Sequence, residues 1–159
     1  VENHGTKFDE RWRVLRERIL AMKTIWSEDE PEFHGEFVDF DPIWSYPKPV
    51  QKGGPPIWIG ANSKYAPERV AEFADGWLPI RGRAGDADIE QVRAACEKNG
   101  RSFEDITLAL FFPPTDDEGL SSQIELGYSE FIFGLPSAGS DEVLPVLDDI
   151  AALAEKVRG

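Results

Sequence analysis

From Asp9 onward, Trp12, Leu15, Ile19, Met22 and Trp26 recur at three- and four-residue steps, with Arg11, Arg13, Glu17 and Lys23 between them. That spacing predicts an amphipathic helix with these apolar residues as its core stripe. Phe33, Phe37 and Phe40 follow among His34, Gly35, Glu36 and Asp39, a short aromatic stretch around a glycine that predicts a small hairpin. Between Asp41 and Pro56 the prolines at 42, 47, 49, 55 and 56, with Gly53 and Gly54, forbid helix and predict an extended path.

Beyond Pro56 the pattern changes to short apolar runs alternating with helical spacing. Ile57-Trp58-Ile59-Gly60 reads as a buried strand that stops at glycine, and Ser63 as the N-cap of a helix reaching about Ala74. Trp77 to Ile80 is a second strand, followed by a loop over Arg81 to Asp86 and a helix from about Ala87 to Asn99 that Gly100 ends. Ile106 to Phe112 is a third strand, Pro113-Pro114 ends it, and Asp117 to Gly127 is a short helix. Phe131 to Gly134 is a fourth strand, and a last helix with Ser140 as its cap runs over Asp141 to Val157.

Four strand-helix alternations are the pattern of parallel βα units, so the fold class is α/β. The expected organisation is one domain over 1–159, with a helix and hairpin/proline-rich insertion over 8–56 and four βα units over 57–159. A complete eight-stranded barrel takes about 250 residues; these units make about half of a TIM-type (βα)8 barrel. Half a barrel would leave two sheet edges and bulky inner-face residues, expected to include Trp58, Trp77, Phe111 and Phe133, in need of cover. A missing N-terminal half, a second copy of the chain (a homodimer), or flattening into an open sheet would each supply it.

Charge and composition narrow the partners. A net charge of -13 repels a phosphate backbone and offers no polybasic membrane anchor, so neither nucleic acid nor membrane is an expected partner. The apolar runs are far shorter than a bilayer span, and residues 1–9 lack the apolar core of a secretory signal, which makes a cytoplasmic setting the default. The single cysteine, Cys96, rules out an internal disulfide and reads as a bystander on a helix. No spacing of His, Cys or carboxylate groups suggests a metal site. His34, alone in its aromatic hairpin, reads as structural.

One stretch carries candidate chemistry. After the strand at 57–60, the small-residue turn Gly60-Ala61-Asn62-Ser63 opens a helix, which gathers backbone N–H groups at a dipole end and suits a phosphate. The bland alternative is a tight turn in which Ser63 only caps the helix. G-x-G-x-x-G and G-K-[ST] are both absent, so dinucleotide and P-loop classes fall away. Trp77 and Arg81 lie at and just after the C-terminal end of a strand, the edge where barrel active sites form. Arg81 suits an anionic cofactor tail or substrate, or a surface salt bridge.

Asp9-Glu10-Arg11, Ile25-Trp26, Phe33-His34-Gly35-Glu36-Phe37, Pro47-Lys48-Pro49-Val50-Gln51, Pro56-Ile57-Trp58-Ile59-Gly60 and Ala74-Asp75-Gly76-Trp77-Leu78-Pro79 together resemble the luciferase-like monooxygenase superfamily, in order and in spacing. The branch that uses the deazaflavin coenzyme F-420 is the most similar, and the resemblance continues through Gly134-Leu135-Pro136. It implies a (βα)8 barrel of which this chain is the C-terminal half. It also implies FMN or the deazaflavin as cofactor, with hydride transfer or oxygen activation as the chemistry. Gly60, Ala61, Asn62, Ser63, Trp77 and Arg81 are then the cofactor-binding candidates, Ala61 standing where relatives often carry a second glycine. No residue is assigned as catalytic, since much of the ring and substrate pocket in relatives comes from the first half of the barrel. The resulting expectation is an oxidoreductase portion inactive without its N-terminal half. The alternative is a non-catalytic half-barrel module that self-associates and binds a phosphorylated ligand or nothing.

Overall fold

Residues 11 to 27 hold neither glycine nor proline, and they form helix α1 (Arg11–Ser27). The structure is a computed structural model that describes residues 2–83, 85 and 87–158. It divides into two units, Val1–Pro56 and Ile57–Gly159.

In the first unit the expected stripe on α1 needs correction. Val14, Ile19 and Ala21 are the buried residues of α1, while Met22 is exposed and Trp12, Leu15 and Trp26 are half-buried. The helix is gripped at several points around its girth, which a single-stripe reading does not anticipate. The Glu17 carboxylate accepts hydrogen bonds from the N–H groups of Glu36 (3.1 Å), Phe37 (2.7 Å) and Val38 (3.1 Å). The Phe37 bond is the main cause that holds this carboxyl below its ordinary range. At the far end of α1, Lys48 donates to the Ile25 carbonyl at 2.7 Å, and the Trp26 ring lies against Gly54, where a side chain would collide with it.

The loop clamped by Glu17 joins β1 (Phe33–His34) to β2 (Asp39–Phe40), an antiparallel pair with Phe33 opposite Phe40 and His34 opposite Asp39. The small hairpin is therefore present. His34 Nδ1 sits 2.7 Å from Asp39, a hydrogen bond that raises the imidazole pKa. The proline-rich stretch has no regular element beyond β2 and is pinned by polar tips: Trp44 Nε1 donates to Glu30 and the Tyr46 hydroxyl to Asp29.

The second unit has the expected architecture. Strands β3 (Trp58–Ile59), β4 (Gly76–Trp77), β5 (Thr107–Phe111) and β6 (Glu130–Ile132) form a parallel sheet in chain order. Helices α2 (Ala66–Phe73), α3 (Ile89–Lys98), α4 (Asp117–Glu125) and α5 (Ser140–Arg158) follow the strands in turn. Helix α3 starts in a reciprocal capping box between Asp88 and Gln91, and α4 starts with Asp116 accepting from the Gly119 N–H. Gly100 stops α3 with a φ of 66°, a left-handed conformation that glycine adopts without strain. Ser63 does not cap α2. The helix begins later, with Tyr65 at the N-cap making no side-chain cap bond and a proline in the first turn, where its fixed φ suits a helix start. Ser140 is the first residue of α5 and lies inside the helix.

Strand register assigns the two sheet faces. Ile59 pairs with Trp77 and Trp77 with Leu108, so these residues and Leu110 share one face. These four are buried, with Trp77 only 1% exposed, while Phe131 beside Leu110 is half-buried; the fully buried Val70 of α2 and Val92 and Cys96 of α3 belong to the same core. Trp58, Gly76, Thr107, Ala109, Phe111 and Ile132 share the opposite face, where Trp58, Phe111 and Ile132 are half-buried. Trp77 and Phe133 were expected among the inner-face residues, and register overturns this: Trp77 lies on the helix-covered face, and Phe133 shares a cavity with Val146, Ile150 and Leu153 of α5. A run that is apolar on both faces gives no sequence signal of which residues point which way. Among the described residues no helix is long and apolar enough to cross a membrane.

Candidate functional site

The segment Ala74-Asp75-Gly76-Trp77 builds the site from below. The Asp75 carboxylate accepts the Ile57 N–H at 2.8 Å and fixes the start of β3. Gly76 is glycine because Trp58 lies across it, and a Cβ would come within 2.6 Å of the indole. Trp77 donates its indole N–H to the Ala61 carbonyl at 2.8 Å, so a fully buried ring anchors the loop that leaves β3.

Asn62 clips that loop to the next one. Its side-chain amide donates to the Ile80 carbonyl and accepts from the Ile80 N–H, each at 3.0 Å, and its carbonyl accepts from Ala87 at 3.3 Å. Gly85 packs so tightly on the Asn62 backbone that no side chain could stand there. Ala84 and Asp86 of the same loop lie outside the described residues. Residues 60–63 and 80–83 come together although α2 and β4 lie between them in the chain, because the Asn62 amide bonds both backbone groups of Ile80, standing in for a strand partner.

The loop's outer surface is open. A Cβ at Gly60 would meet nothing nearer than the Leu78 carbonyl oxygen at 3.7 Å, and its φ is not left-handed, so neither packing nor backbone strain requires glycine. Among the described residues the N–H groups of Ala61, Asn62 and Ser63 have no backbone acceptor. Ser63 is exposed and its carbonyl accepts from Ala66. Arg81 and Arg83 are exposed, and neither guanidinium has an acidic partner among the described residues, so the surface salt bridge considered for Arg81 is not formed there. Lys64 sits 5.2 Å from the Tyr65 ring.

A cavity of about 500 Å³ adjoins this loop pair, with Trp77, Leu110 and Tyr128 as buried lining and Asn62 and Arg81 among the rest. Burial raises the Tyr128 hydroxyl pKa and keeps it protonated. Cys96 lies apart from the loop, fully buried on α3, with its thiol pushed up by burial and hence unreactive, as expected of a bystander. Among the described residues no cluster of His, Cys, Asp or Glu could hold a metal ion.

Known proteins resemble this chain in sequence and in fold. The model of the family described as luciferase-like monooxygenase matches residues 1–122. An uncharacterized protein of Mycobacterium tuberculosis is 32% identical over 151 residues, covering 94% of this chain and 53% of the relative. The FMNH(2)-dependent dimethylsulfone monooxygenase of Pseudomonas putida is 34% identical over 99 residues, covering 60% of this chain and 27% of that enzyme. Among solved structures, a coenzyme F420-dependent tetrahydromethanopterin reductase from Methanopyrus kandleri superposes with a TM-score of 0.51 at 18% identity, covering 67% of this chain and 32% of the other. The chain spans about half the length of the curated relatives it matches over nearly its whole extent.

Proposed function

The chain belongs to the luciferase-like monooxygenase family, and from that premise we propose that it is the C-terminal, cofactor-phosphate half of a flavin- or deazaflavin-dependent oxidoreductase. The observation that carries this reading is the Gly60 to Ser63 turn. It is rigidly held from below by Asn62 and Trp77, open above, and flanked by Lys64, Arg81 and Arg83 in a chain of net charge -13. Backbone N–H groups fixed at the C-terminal edge of a parallel sheet, with cations beside them, fit a phosphate. Gly60, Ala61 and Ser63 would face it, Arg81 would pair with a charged cofactor tail, and Asn62 and Trp77 would set the loop's shape. Named relatives and neighbours use FMNH(2) or F420, which supports either cofactor.

When bound, such a cofactor supplies hydride transfer or, for reduced FMN, oxygen activation. This chain's residues bind and orient its tail. The half-buried inner face with Trp58, Phe111 and Ile132 supports a complement that closes the barrel, from an N-terminal half or a second copy, and activity resides in the completed assembly.

The test is titration of the 159-residue chain with FMN and with the deazaflavin, followed by cofactor fluorescence. Binding that weakens about tenfold in Arg81→Gln and Gly60→Ala, with melting curves unchanged, supports the reading. Equal binding by wild type and both variants would overturn the assignment of the phosphate to this loop.

A further inference from the structure

Phe112 is the one non-glycine residue with a left-handed backbone among the described residues, at φ 57°. It also precedes Pro113, which disfavours compact backbone conformations for the residue before it. A bulky residue held this way is strained, and this one is 51% exposed. The ring is nonetheless held in place. It stands edge-on to Phe111 at a centroid distance of 4.5 Å, and Gly134 makes room for it, since a Cβ there would lie 2.6 Å from the ring. The Phe112 N–H is tied to the Ile132 carbonyl at 3.0 Å.

The ring borders a cavity of about 590 Å³ at the C-terminal ends of β5 and β6, two strands away from Gly60. Phe133, Leu135 and Ile150 give it apolar walls; Thr115 and Asp149 supply its polar groups. Asp149 is exposed at the cavity's rim and has no cationic partner among the described residues, and its helix also carries Asp141, Glu142 and Asp148, while Lys156 of the same helix is paired with Asp117. An aromatic wall beside an apolar cavity with an exposed carboxylate at its rim complements a flat apolar body bearing a cationic head.

We propose that this cavity is a binding site for an aralkylammonium-type ligand, with Phe112 as its specificity-determining residue. The site is separate from the Gly60 loop and stands or falls independently of the flavin reading. The experiment is calorimetric titration of the 159-residue chain with tryptamine, and with indole-3-propionate as the charge-reversed control. Wild type binds tryptamine in preference to indole-3-propionate; Phe112→Gly and Asp149→Asn each weaken tryptamine about tenfold. Phe112→Gly keeps its melting temperature, because glycine takes this φ without strain. If that variant does not fold, Gly134→Ala displaces the ring with the Phe112 backbone intact and must give the same loss. Failure of wild type to bind tryptamine, or equal binding by the ring-removing variants, would overturn the proposal.

Discussion

The two faces of the four-stranded sheet are made of the same kinds of residue, and their large side chains at the sheet centre are buried to different degrees. On the helix-covered face Ile59, Trp77, Leu108 and Leu110 are 6, 1, 4 and 4% exposed. On the other face Trp58, Phe111 and Ile132 stay half-buried, and the Trp58 indole N–H is out of reach of solvent with no hydrogen-bond partner among the described residues. A buried donor left unpaired costs free energy, so a native chain rarely keeps one without a reason. The contrast teaches that α2 and α3 cover one face of the sheet, whereas the large aromatic residues of the other stay half-buried and one of them keeps an unpaired donor.

The largest test of that contrast is Trp77→Ala. Removing a ring at 1% exposure opens a cavity on the helix-covered face and frees the Ala61 carbonyl, which is expected to cost about 3–5 kcal/mol in denaturant unfolding. Cys96 offers a second readout: it is fully buried on the same side with its thiol pushed up, so alkylation waits for opening and should speed markedly in the variant. A loss under about 1 kcal/mol would mean the helix-covered face is not the structural one.

Asn62→Ala comes next. It leaves the Ile80 N–H without its acceptor and the Ile80 carbonyl with only the Arg83 N–H at 3.3 Å, and it releases the clip between the two loops, at an expected cost of about 1–3 kcal/mol. Cofactor titration of the same variant should show a weaker site, because the loop loses its fixed shape. Trp58→Phe then probes the opposite face. Within this chain it deletes an unpaired donor and should be neutral or slightly stabilising by thermal melt. With the complementary barrel half added in trans, the same variant should lower association measured by light scattering. A large destabilisation of the chain alone would show that Trp58 already has its structural role here.

How much of this was legible in the sequence follows from which signals are local. The βα alternation, the stop at Gly100 and the hairpin around Gly35 were readable because each rests on period or on a residue's own backbone preference. Sheet face was not readable for Trp77, since Ile57 to Ile59 and Trp77 to Ile80 are apolar on both sides and only register separates them. The α1 stripe misled because Glu17, a polar residue outside the stripe, makes the contact that holds the hairpin. At the candidate site, the turn at 60–63 could be found from its small residues, but Asn62 reaching Ile80 is a contact across 18 positions that spacing cannot reveal. The strain at Phe112 had no sequence signal at all beyond the proline after it.

The smallest expected effect is the sharpest test of the loop. The other glycines near the site are explained by crowding or by backbone: Gly76 by the Trp58 ring, Gly85 by the Asn62 backbone, Gly82 by its left-handed φ of 73°. Gly60 is explained by neither crowding nor backbone, since its added Cβ would meet its nearest atom at an ordinary 3.7 Å. Were its smallness needed for folding, Gly60→Ala would unfold the chain; on the geometry it should shift stability by no more than about 0.5 kcal/mol. A methyl group there would nonetheless stand on the one open surface of a loop whose other sides are taken by Trp77, Asn62 and Gly85, so a ligand approaching the backbone N–H groups would meet it. Unchanged melting with weakened cofactor binding would assign the glycine to the ligand. Unchanged melting with unchanged binding would leave the loop a turn and place the phosphate elsewhere.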